Sequence, residues 1–125
     1  MREISDKQEK YVAKYLGAKK VVNSGATVFK KGDVEDAFSL FECKTKMKES
    51  KSFSIKKDEI DKLQEEVLAR GKEFGIYVFN FGDYKDNYAV LRLSDFQDLY
   101  EAYKELSENL YEIYNKLDEL KEMEK

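Results

Sequence analysis

Asp33 and Glu42 are separated by eight residues, and Lys44 follows Glu42 by two positions. Two carboxylates brought together repel, and a divalent cation relieves the repulsion. A lysine beside them can offset negative charge that develops on a reacting group. In a strand, alternate side chains share a face, so Phe38, Leu40, Glu42 and Lys44 point one way while Ser39, Phe41 and Cys43 point the other. Apolar residues on both faces imply a strand covered from both sides, whose charged end must be compensated. The Glu-x-Lys tripeptide alone says little, because Glu49-Ser50-Lys51 and Glu119-Leu120-Lys121 repeat it. What distinguishes Glu42-Cys43-Lys44 is its place at the end of an apolar strand, with Gly32-Asp33 upstream and Glu9 on or beside the apolar stripe of a first helix.

Composition narrows the chemistry. The chain has 125 residues, one domain in size, with no histidine and one cysteine, Cys43. Histidine-based triads, imidazole zinc sites and cysteine-rich metal sites are therefore excluded. Oxygen donors alone favour Mg²⁺, with Mn²⁺ able to replace it. No stretch approaches the roughly 20 apolar residues of a membrane span, and MREISDKQEK lacks the apolar core of a signal peptide, so a cytoplasmic protein without a membrane partner is expected.

Although the net charge is −3, residues 1–57 carry 14 Lys/Arg against 8 Asp/Glu and the remainder 9 against 18. A basic face for a polyanion is compatible with that asymmetry, as is a solvated lysine-rich surface. Lys46, Lys48, Lys51, Lys56 and Lys57 directly follow the acidic motif and are candidate phosphate contacts, with Lys30 and Lys31 flanking it from the other side.

The elements that must position these residues can be read from periodicity. Ser5 is expected to cap a first helix that ends near Gly17 and carries an apolar stripe of Val12, Tyr15 and Leu16. Three strands follow, at Val21-Val22, Ala26 to Phe29 and Ala37 to Cys43, then a strand or turn at Phe53 to Ile55. Lys57 to Arg70 reads as a helix with Ile60, Leu63 and Val67 inward and Gly71 as its stop. Phe74 to Phe81 and Tyr88 to Leu93 read as a hairpin. From a cap at Ser94 or Asp95, the apolar residues Phe96, Leu99, Tyr103, Leu106, Leu110, Ile113, Leu117 and Leu120 alternate in steps of three and four, a heptad seam on a long helix. The expected architecture is α/β, a mixed central sheet flanked by helices.

The order of Glu9, Ser24-Gly25, Gly32-Asp33, the strand Phe38 to Lys44, and a helix followed by Ile76-Tyr77-Val78-Phe79 resembles the PD-(D/E)xK nucleases. Within them the likeness is to the archaeal-type Holliday junction resolvases and related phage-encoded resolvase-like proteins. It covers residues 5–93, and Gly32 stands where many members have proline. The resemblance implies a restriction-endonuclease-like fold and metal-dependent hydrolysis of branched DNA. Asp33 and Glu42 would hold Mg²⁺ with the carbonyl of Cys43, Lys44 would orient or activate the attacking water, and Glu9 would complete the site. Ser24 would lie near the scissile phosphate. Residues 1–93 would be the nuclease-like core and 94–125 a helix partly packed on it and a candidate oligomerisation element. A homodimer is expected, since cutting a four-way junction symmetrically takes two active sites. Two alternatives stay open: a nuclease of the same fold acting on linear DNA, and an inactive DNA-binding or coiled-coil module.

Overall fold

The computed structural model describes residues 2–21 and 33–124. Its elements in chain order are α1 (Arg2–Leu16), β1 (Lys19–Lys20), β2 (Val34–Glu35), β3 (Ser39–Lys44), α2 (Lys57–Ala69), β4 (Phe74–Asn80), β5 (Asn87–Val90) and α3 (Leu93–Met123). The five strands form one sheet in sequence order. β1, β2 and β3 are joined antiparallel, β3 and β4 run parallel, and β5 returns antiparallel to β4. Parallel neighbours need a crossover, and α2 supplies it. The protein is thus α/β with a mixed sheet.

Strand alternation divides the core into two layers. Phe41, Cys43, Val34 and Val78 pack beneath Val12 and Ala13 of α1. On the opposite face, Leu40 and Tyr77 pack against Leu63 and Val67 of α2. α2 approaches closely at Gly75, where an added Cβ would come within 2.9 Å of Val67 Cγ2 and 3.1 Å of Leu63 Cγ. The β2–β3 return is tight because the Asp36 carboxylate accepts the N–H groups of Phe38 and Ser39 at 2.8 and 2.7 Å.

Several local expectations are corrected. α1 starts at Arg2, so Ser5 lies within it rather than capping it, and α3 starts at Leu93, with Ser94 and Asp95 inside. The stripe that α1 buries is Gln8, Glu9, Val12 and Ala13, whereas Tyr15 and Leu16 are exposed. Polar groups occupy half of that stripe because partners distant in sequence satisfy them. The first described strand is Lys19–Lys20, with Val21 just past it and Val22 outside the described residues; β3 begins at Ser39 rather than Ala37, and Phe53 to Ile55 forms no strand. Ile60 is only half-buried. The strand expected at Ala26 to Phe29 lies outside the described residues.

The chain divides into two compact units, Met1–Leu91 and Arg92–Lys125. The second is α3 itself, 31 residues, about 46 Å long at 1.5 Å per residue. None of its described side chains is buried.

Candidate active site

The charged end of β3 is held by backbone before side chains matter. Asp33 stands just ahead of β2, nearly fully buried. Its N–H donates to the Phe41 carbonyl at 3.0 Å, and its carboxylate Oδ2 accepts the Cys43 N–H at 2.8 Å. A side chain thus takes a place that a ladder carbonyl would otherwise fill, and it fixes the carboxylate at the level of Glu42 and Cys43. Glu9 is buried on α1 and within hydrogen-bonding reach of Asp33. Burial, then the adjacent Asp33 charge, holds its pKa above the ordinary carboxylate value, while Lys20 acts in the opposite direction. Lys20 Nζ lies 3.2 Å from Glu9 Oε2 and 3.5 Å from Asp6 Oδ1. Burial works against its ammonium, yet the Glu9 hydrogen bond and the two acidic charges outweigh that and raise its pKa.

Glu42 and Lys44 occupy the α2 face, as alternation requires. Lys44 Nζ is 3.9 Å from Glu42 Oε1, and the two line a cleft of about 250 Å³ with Glu59, Lys62, Leu63 and Glu66. Beneath them the Tyr77 hydroxyl donates to Glu59 Oε2 at 2.6 Å. Burial first, then Glu59, raises the Tyr77 pKa, and the charges of Glu42 and Asp33 add to it, so its hydroxyl stays protonated. Tyr77 is where the fields of Asp33 and Glu42 meet. Gln64 packs over Gly75 and is not among the side chains lining the cleft.

A second group of residues, not singled out for a functional role by the sequence, fixes where Lys44 emerges. Gln8 Nε2 on α1 donates to the Lys44 carbonyl at 2.7 Å and to Asn87 Oδ1 at 3.1 Å. Asn80 is fully buried; its Oδ1 accepts from Thr45 Oγ1 and from Gly82 N–H, both at 2.9 Å, and its Nδ2 donates to Asn87 Oδ1 at 3.3 Å. The available signal was positional: Gln8 lies four residues before Val12 on one helix face, and Asn80 ends an apolar strand.

The basic loop after β3 is anchored over the β4–β5 turn. Ser50 N–H donates to the Phe81 carbonyl at 2.8 Å. Gly82, at φ 122°, sits so close beneath the loop that a Cβ would fall 2.6 Å from Glu49 Cα. Lys46 lies over the Phe53 ring, 5.5 Å from its centroid. Lys48, Lys51 and Lys56 are exposed, whereas Lys57 is exposed but paired with Asp61 at 2.8 Å. Ser24, Lys30 and Lys31 lie outside the described residues.

The structure therefore brings Glu9, Asp33 and Lys20 together, and Glu42 with Lys44 beside the α2 cleft, at the same strand end. Among the described residues no three His, Cys, Asp or Glu side chains converge in a ready metal cage. No described helix is long and apolar enough to cross a membrane. No family model, curated protein or solved structure matches the chain.

Proposed function

We propose that the protein is a metal-dependent DNA endonuclease of the PD-(D/E)xK kind, acting on branched DNA. The observation that carries this reading is the buried Glu9–Asp33 carboxylate pair, fixed by the Cys43 N–H beside Glu42 and Lys44. Two acids in such a place favour retention of a proton, and a divalent cation can replace that proton. The donors are all oxygen, which fits Mg²⁺ or Mn²⁺. Asp33, Glu42 and the Cys43 carbonyl would hold the ion, with Glu9 completing the set. When bound, it would polarise a phosphate oxygen and lower the pKa of water.

The remaining roles belong to the chain. Lys44, partly exposed beside Glu42, orients water and offsets charge developing on the phosphate. Lys48 and Lys51, on the loop anchored at Phe81 and Gly82, and Lys56 at the start of α2 would meet the DNA backbone. Lys46 presents its charge from above Phe53. A homodimer would supply the second cut of a four-way junction.

A second reading, a DNA-binding module without catalysis, is favoured by the lack of a ready three-residue cage among the described residues. The separating experiment offers the protein a four-way junction, linear duplex and single strands, with Mg²⁺ and with chelator. Metal-dependent cutting of the junction supports the proposal, and cutting of linear duplex alone moves the substrate to linear DNA. Binding without cutting under every metal condition supports the second reading.

A further inference from the structure

The seam on α3 is longer and more regular than its flanks first suggest, and its charges select one way of pairing. Lys116 immediately precedes the seam residue Leu117, and Lys121 immediately follows Leu120, so the two lysines lie on opposite flanks of the seam. In a parallel, in-register pair of helices, a residue on the first flank faces the partner's residue five positions further on. Lys116 would then face the partner's Lys121, and the contact would occur twice. The flank positions of those two heptads, Asn109, Tyr114 and Met123, offer no acid to offset them.

In an antiparallel pair each flank meets its own counterpart. Lys116 then shares its flank with Asp95, Ala102 and Asn109, and Lys121 shares the other with Tyr100, Ser107 and Tyr114. No two lysines meet. One antiparallel register also pairs every seam residue: Phe96 with the partner's Leu120, Leu99 with the partner's Leu117, Tyr103 with the partner's Ile113, and Leu106 with the partner's Leu110. Sliding the pair by one heptad in either direction leaves two seam residues of each helix uncovered. All of these side chains are exposed on the single chain, so their burial is available as a driving force.

We propose that α3 is a self-association element that pairs antiparallel with the α3 of a second copy, its two-fold axis crossing the seam at the level of residue 108, between Leu106 and Leu110. The arrangement is isologous and closes as a dimer. It places the two Leu93 ends about 45 Å apart along the paired helices at 1.5 Å per residue. Nothing in it depends on the nuclease reading.

The test uses the full-length chain with one cysteine introduced at a time, the native Cys43 being buried. Asn109 is a flank residue beside the proposed axis, while Glu108 points away from the seam. In sedimentation at micromolar concentration the wild type is expected as a dimer. Asn109→Cys should form an intermolecular disulfide with itself at least about tenfold faster than Glu108→Cys, since paired flanks raise the effective thiol concentration. A mixture of Lys116→Cys and Lys121→Cys should crosslink no faster than Glu108→Cys. A monomeric wild type, or Asn109→Cys no faster than Glu108→Cys, would overturn the pairing. Rapid crosslinking in the Lys116→Cys and Lys121→Cys mixture would replace it with a parallel one.

Discussion

Two polar regions lie within a few residues of each other at the end of β3, and they handle burial in opposite ways. Around Asn80, the amides of Gln8, Asn80 and Asn87 and the Thr45 hydroxyl donate to and accept from one another and the backbone. None carries charge, so their hydrogen bonds can be satisfied within the fold at modest cost. Around Asp33 and Glu42 the groups are ionisable, and burial leaves a repulsion between Glu9 and Asp33 that Lys20 only partly offsets. The first region sets backbone position. The second gathers ionisable side chains, with Glu9 held above its ordinary carboxylate pKa, and the contrast matches the proposed division between positioning and chemistry.

The largest expected effect comes from removing the charged region's acids. Asp33→Asn and Glu42→Gln should each lower metal-dependent cleavage by about a hundredfold or more, while junction binding persists, because each removes a proposed metal ligand yet keeps the side chain's size and an oxygen acceptor for its backbone contacts. Gel-based cleavage beside binding by anisotropy checks both. Wild-type cleavage rates in either variant would detach these acids from the chemistry. Within the same region, Lys44→Ala should lower the cleavage rate about tenfold or more with little change in affinity. Joint neutralisation of Lys46, Lys48 and Lys51 should instead weaken binding and flatten the slope of log affinity against log salt by about 2 to 3. Equal losses of rate and affinity in both variants would leave the roles inseparable.

The neutral region should answer in stability. Asn80→Ala strips Thr45, Gly82 and Asn87 of a partner and is expected to cost about 2 to 3 kcal/mol in urea unfolding. Lys62→Ala, on the cleft, should stay within about 0.5 kcal/mol. Comparable losses would erase the contrast between the regions. The smallest effect is expected at Glu9. Its folded pKa lies above the unfolded value, so its favourable contribution is complete below the unfolded pKa and is lost as pH rises through the folded one. Glu9→Gln should therefore melt higher than wild type near about pH 7 and match it near about pH 4. An equal difference in melting temperature at both pH values would mean that Glu9 is not held with a raised pKa.

Much of this arrangement can be read along the chain because it rests on local periodicity. The alternation of Leu40, Phe41, Glu42 and Cys43 placed each side chain on the face where it is found. Leu63 and Val67 similarly marked the buried side of α2. On α1 the spacing places Glu9 and Val12 inward, as found, but Tyr15 and Leu16 are exposed and Gln8 and Ala13 take their place; Gln8 turns inward toward partners at Lys44 and Asn87, contacts that no short window contains. The Asn80 hub escaped for the same reason. β1 falls on Lys19 and Lys20 because they pair with Glu35 and Val34, a register set by a strand well beyond any local window. The helix start at Leu93 lacks a side-chain capping cue, and its cap, Arg92, makes no side-chain cap bond.

Calorimetric titration with Mn²⁺ and Mg²⁺ tests the central claim, one divalent-cation site built from Asp33 and Glu42, most directly. The wild type should bind at one site per chain, with proton release that grows toward acid pH, since burial and Asp33 raise the Glu9 pKa and a cation would favour its ionised form. Asp33→Asn and Glu42→Gln should each abolish that heat while circular dichroism remains that of the wild type. Absence of binding by the wild type, or unchanged binding in both variants, would contradict the account.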